Sequence, residues 1–152
     1  MGICNSKEIR YIEPSVRVDN IINFFSKADK EFITRSSKFA HEFIENEELK
    51  KEYHYIRKVI IVAAFLKDLP KLFNNDYDKM KLFLNTNKIP PSIYNIIYNY
   101  HNKKDNKKDN QLIKYKINMD NIDNIDDIYD KDEYIKNSLN TIRSYIYDII
   151  LI

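Results

Sequence analysis

Val59-Ile60-Ile61-Val62-Ala63-Ala64-Phe65-Leu66 is the stretch whose reading decides the fold. Eight consecutive apolar residues leave no polar face, so neighbours must enclose the segment on every side. It is also the longest apolar run in the chain and falls far below the ~20 residues that a membrane-spanning helix needs. Tight hairpins draw on glycine for positive φ, and the chain has one glycine in 152 residues, at Gly2. That disfavours a sheet of hairpins. It excludes dinucleotide and Walker-type phosphate loops, which need two or more glycines. The segment therefore reads as a buried helix in an all-α domain.

Helical spacing continues outward from it in both directions. Leu49, Tyr53, Ile56, Ile60 and Ala63 alternate at steps of four and three, and Glu47 and Glu48 suit the first turn of the same helix. Upstream, Phe32, Ser36, Phe39 and Phe43 form a stripe with Ile33, Ala40 and Ile44 beside it, starting from Ser26 or Asp29. Asp19 can cap a short first helix that carries Ile21, Ile22, Phe24 and Phe25. Downstream, Pro70 ends the central helix or opens a new turn. Asn75 or Asp76 caps a helix with Tyr77, Met80, Phe83 and Leu84 inward. Pro90 and Pro91 set up the next, with Ile93, Ile96, Ile97 and Tyr100 inside. The last helix begins near Asp132 and aligns Ile135, Leu139, Ile142, Ile146 and Ile149.

Residues 102–130 break this pattern. Residues 103–110 repeat the tetrad Lys-Lys-Asp-Asn, and Ile113, Tyr115 and Ile117 alternate with lysines in a strand-like way. Charge is segregated here: six lysines against two aspartates in 103–118, net +4, then net −6 across 119–133. Such a segment reads as a solvated insertion, with a basic half suited to anionic headgroups. The expected fold is an irregular bundle of five to six helices. Residues 1–14 form a flexible tether, 15–152 form one α-helical domain, and 102–130 form a flexible low-complexity loop within it.

Composition narrows the function classes. Net charge is +2 with 32% charged residues, so no global basicity points to nucleic acid. Twelve tyrosines lie mostly at helical spacing, without the interleaved basic stripe of a base-stacking platform. The single cysteine cannot form an internal disulfide, which fits a reducing compartment. Residues 1–20 lack the apolar core of a secretory signal. His41-Glu42 opens like a zinc-protease motif, but position 45 is glutamate where the second histidine belongs. His54 and His101 have no partner ligands in register. No register from Asp120, Asp123 or Asp126 satisfies an EF-hand loop.

The only glycine and the only cysteine lie together at the start, in Met1-Gly2-Ile3-Cys4-Asn5-Ser6-Lys7. Gly2 with Ser6 meets the N-myristoylation pattern, because removal of Met1 frees an unhindered amine. Cys4 then lies at the membrane surface, where its thiol can accept a palmitoyl chain. One myristoyl chain gives only marginal binding, with K on the order of 10⁴ M⁻¹, and stable attachment takes a second signal. Ser6 and Lys7 serve acyl-transferase recognition, and Lys7 with Arg10 adds weak basic charge.

Residues 1–7 resemble the N-termini of dual-acylated peripheral membrane proteins of apicomplexan parasites. The Asn, Lys, Ile, Asp and Tyr bias is similar to that of malaria-parasite proteins. The resemblance implies the cytosolic face of a plasma membrane or inner membrane complex, and no family for the folded domain. The expectation is a non-catalytic helical adaptor or scaffold, with no cofactor, metal, nucleic acid or small-molecule substrate. Its partners would be a membrane, through the acyl chains, and a protein. The alternatives are a membrane-targeted regulatory subunit of an enzyme and a soluble viral-type helix-in-groove binder.

Overall fold

A computed structural model describes residues 12–102, 110–115 and 131–151. Among them are nine helices and no strand. Six helices have ten residues or more: α1 (Pro14–Ala28), α2 (Lys30–Ile44), α4 (His54–Leu66), α6 (Tyr77–Thr86), α7 (Pro91–Asn102) and α9 (Lys131–Ile150). Three are single turns: α3 (Glu47–Lys50), α5 (Leu69–Leu72) and α8 (Gln111–Lys114). The all-α class is as the sequence implies, with six substantial helices.

All eight residues of 59–66 are buried. α4 runs through the centre, and α2, α9 and α7 pack around it. Phe25 on α1 stacks on Phe65 at 4.8 Å and meets Phe32 on α2 edge-on at 5.4 Å. This aromatic wedge fills the junction of three helices, and such pairs contribute about 0.5–1.5 kcal/mol beyond the area they bury.

Local chemistry sets several helix starts where expected. The Asp29 carboxylate accepts from the Glu31 N–H at 2.9 Å, and Asp76 accepts from the Lys79 N–H at 3.2 Å. Pro91 opens α7. Three non-glycine residues adopt positive φ: Asn74, Asn75 and Lys88. Asparagine tolerates this region best after glycine, so a chain with one glycine turns on asparagine. Lys88 follows α6 in a Schellman arrangement: the Ile89 N–H donates to the Leu84 carbonyl at 3.0 Å and Ile89 is buried.

Four details correct the sequence expectations. Pro14 opens α1 rather than closing the tether, because its fixed φ suits the first helical position. Asp19 therefore lies inside α1 and caps nothing; it pairs with Arg143 of α9. The helix expected to run from Leu49 through Ala63 is broken at 51–53, where the chain leaves α3 and restarts. The break resets the stripe, so Tyr53 is 71% exposed and Ile56 45%, while Leu49, Ile60 and Ala63 are buried. Residues 110–115 are a helical turn rather than a strand-like stretch. There the Asn110 side-chain oxygen caps Leu112 and Ile113, and Leu112 and Tyr115 are buried against α7 and α4. The remainder of the expected insertion lies outside the described residues, as does Ile117. On α9, Tyr134 and Ser138 take buried positions beside half-buried Ile135 and Leu139.

The helix directions place several ends together. Arg17 Nη1 on α1 donates to the Thr86 carbonyl, Asn20 Nδ2 donates to Asn87 Oδ1, and Phe24 packs on Phe83 at 4.7 Å. α1 therefore runs antiparallel to α6. α6 runs antiparallel to α7, with Tyr77 against Tyr98 at 5.2 Å and Lys81 over Tyr94 at 5.2 Å. His101 Nε2, near the end of α7, donates to the Lys67 carbonyl just past α4 at 2.6 Å, so α7 and α4 finish together. Lys58 near the start of α4 pairs with Asp148 near the end of α9 at 2.8 Å. The starts of α1, α4 and α7 and the finishes of α6 and α9 thus share one end of the bundle.

Candidate functional site

The shared end is where residues 1–11 join the folded body. Arg17 Nε donates to the Ile12 carbonyl at 3.0 Å, while its Nη1 holds the Thr86 carbonyl. One guanidinium therefore ties the first described residue to the last turn of α6, and its planar fork allows both bonds at once. A cleft of about 410 Å³ at the same end is lined by Tyr55, Lys88, Pro91, Ile149 and Ile150, among others. We call this end the tether end.

A second cleft, of about 680 Å³, lies between α6 and α7 and is lined by Tyr77, Asp78, Tyr94, Asn95, Tyr98 and Asn99. Tyr94 and Tyr98 are one helical turn apart and stack at 6.1 Å, and Tyr77 meets Tyr98 edge-on. Burial, with the Asp78 carboxylate and the two neighbouring phenols behind it, pushes the Tyr94 hydroxyl above its ordinary range. Tyr94 therefore keeps its hydroxyl proton and can donate a hydrogen bond at any physiological pH. The helical spacing of the tyrosines was visible in the sequence; that Tyr77 from another helix meets Tyr98 was not.

The third constellation surrounds His41. Its Nδ1 is 3.0 Å from Ser138 Oγ, its Nε2 is 3.8 Å from Glu45 Oε1, and Tyr134 packs on its ring at 4.4 Å. Burial lowers the imidazole pKa, and the Glu45 carboxylate works in the opposite direction. The serine–histidine distance is that of a nucleophile and its base. However, Ser138 is 3% exposed and lies mid-helix between α9 and α2, so no substrate carbonyl can approach it. The contact ties two helices 97 residues apart. His101 makes a similar tie to Lys67, and His54 occupies the first turn of α4 next to Tyr53.

No protein-family model, curated protein or solved structure matches the chain. The residues named from the sequence as modification sites, Gly2 and Cys4 with Ser6 and Lys7, lie outside the described residues. So do Asp120, Asp123 and Asp126. Among the described residues, no group of three or more His, Cys, Asp or Glu side chains could hold a metal ion. Nor is any helix among them long and apolar enough to cross a membrane.

Proposed function

We propose that this protein is a lipid-anchored helical adaptor on the cytosolic face of a membrane. The observation that carries the reading is the pairing of the only glycine and the only cysteine at Gly2 and Cys4, with Ser6 completing the myristoylation pattern. Myristate on Gly2 brings the chain to a bilayer reversibly, and palmitate on Cys4 makes the attachment firm. In keeping with this, Gly2 and Cys4 precede in sequence the first described helix, which opens at Pro14.

The adaptor half of the reading rests on the tyrosine-lined cleft between α6 and α7. Tyrosine combines a large apolar face with a polar tip and few rotatable bonds, and is enriched where proteins meet. Tyr77, Tyr94 and Tyr98 offer such a surface to a protein partner.

Fractionation of cells expressing variants tests the anchor. Gly2→Ala removes the acceptor amine and should release the protein to the soluble fraction. Cys4→Ser should leave a protein that distributes weakly among membranes. A Gly2→Ala protein that still sediments with membranes refutes the anchor.

A further inference from the structure

Seven large apolar side chains are exposed among the described residues. Six of them, Val16, Tyr53, Ile56, Leu82, Tyr147 and Leu151, belong to segments that meet at the tether end: the starts of α1 and α4, the second half of α6 and the finish of α9. The seventh, Tyr98, lies in the tyrosine cleft, farther along α7. Exposure is high where it is least expected for such residues: 71% at Tyr53 and 68% at Leu82. Single exposed apolar residues are ordinary, but their concentration at one end marks a surface that meets something apolar.

We propose that the tether end is the face that the domain lays on the bilayer, with these six side chains dipping into the boundary between headgroups and acyl chains. The proposal rests on the anchor reading of residues 1–7 and adds the orientation of the domain. The chain outside the described residues argues for a membrane as the occupant. From Gly2 to Ile12 is ten residues, which span at most about 33–36 Å even when fully extended. α9, with 20 residues, is about 30 Å long. An acyl chain held in the bilayer is therefore joined directly to the tether end, and the far end of the bundle lies a helix length beyond that junction. Tethering raises the local concentration of bilayer seen by this face, so weak apolar contacts suffice. Tyrosine at positions 53 and 147 suits the interfacial layer, where an amphipathic ring has its tip in water and its body in lipid. Charge at this end is mixed, with Arg17, Lys51, Arg57, Lys58 and Lys88 among Glu13, Glu52 and Asp148, and Lys58 is paired with Asp148, so the exposed apolar side chains are what set this end apart.

The chain has no tryptophan and one cysteine, which permits a direct test. Full-length Tyr53→Trp, Leu82→Trp and Tyr98→Trp each carry a single tryptophan at an exposed position, so the fold is kept; circular dichroism checks this. A maleimide-linked lipid on Cys4 anchors each protein to phosphatidylcholine vesicles with brominated acyl chains, independently of enzymatic acylation. Tyr53→Trp and Leu82→Trp should shift to shorter wavelength and lose emission on anchoring, while Tyr98→Trp should change in neither respect. Equal quenching of all three, or none at positions 53 and 82, overturns the proposal; the latter would leave this face to a protein. If Gly2→Ala fails to release the protein from cell membranes while positions 53 and 82 are quenched here, the anchor reading falls and the contact face stands.

Discussion

His41 Nδ1 sits 3.0 Å from Ser138 Oγ, joining the last turns of α2 to the first half of α9 across 97 residues of chain. The tie closes the bundle: α9 packs on α1, α2 and α4, and His41 supplies a polar contact at its N-terminal half. Ser138 and the Tyr134 ring face the imidazole from α9, while Glu45 and Glu42 lie near it on the α2 side. Lys50, from α3, pairs with Glu45 at 3.7 Å.

This contact should make stability depend on pH. Burial holds the His41 pKa below its ordinary 6.5, so the unfolded chain binds the extra proton first as pH falls. Stability is full above 6.5 and is lost progressively as pH drops through the depressed folded-state value. Glu42 works the other way: burial, then Glu45, raise its pKa, so its cost is present above that raised value and relieved below it. Thermal melts between pH 7.5 and 5, a range chosen to bracket the imidazole titration, should show a falling melting temperature. His41→Gln should flatten that slope, and an equal slope in the variant would remove His41 as its source.

Core truncations should be costly both in the central helix α4 and in the isolated turn α8. Ile60, at the centre of α4, is 1% exposed, and Leu112, in the isolated turn α8, is fully enclosed. Isoleucine or leucine to alanine in a packed site costs about 2–5 kcal/mol. Denaturant unfolding of Ile60→Ala and Leu112→Ala should show losses in this range for both. A Leu112→Ala curve that superimposes on the unsubstituted protein would detach α8 from the core.

Asn46 should be as sensitive as an apolar core residue. It is 2% exposed; its Oδ1 accepts from the Leu49 N–H at 2.9 Å, and its Nδ2 donates to the Tyr115 carbonyl at 2.7 Å. Asn46→Ala leaves a buried donor and a buried acceptor unsatisfied, each costing about 1–3 kcal/mol. Asn46→Asp keeps the cap on α3 but puts a carboxylate oxygen against the Tyr115 carbonyl, so it should also destabilise. Amide exchange at Leu49 should accelerate in Asn46→Ala and not in Asn46→Asp.

These cases also show what the sequence made legible. Signals within one turn read correctly: the Asp29 and Asp76 caps, Pro91 at the start of α7, and the unbroken apolar run 59–66. Each depends on neighbours a few residues away. The break at 51–53 did not read, because Leu49, Tyr53 and Ile56 keep helical spacing across it, and the contact that falls within it, the Tyr115 hydroxyl donating to Glu52 Oε1, joins residues 63 apart in sequence. Leu112 was hidden by its charged surroundings, since four of the ten residues in 103–112 are lysine. The tether-end surface is assembled from four helix segments far apart in sequence, and no local pattern announces it. The Gly2 and Cys4 motif, by contrast, is local in sequence and lies outside the described residues.

Intact mass spectrometry of the protein isolated from its own cells tests the central claim most directly. The account predicts a chain without Met1, heavier by one myristoyl group on the Gly2 amine and by a second, hydroxylamine-labile acyl group on the Cys4 thiol. A chain that retains Met1, or whose Gly2 amine is free, would contradict it.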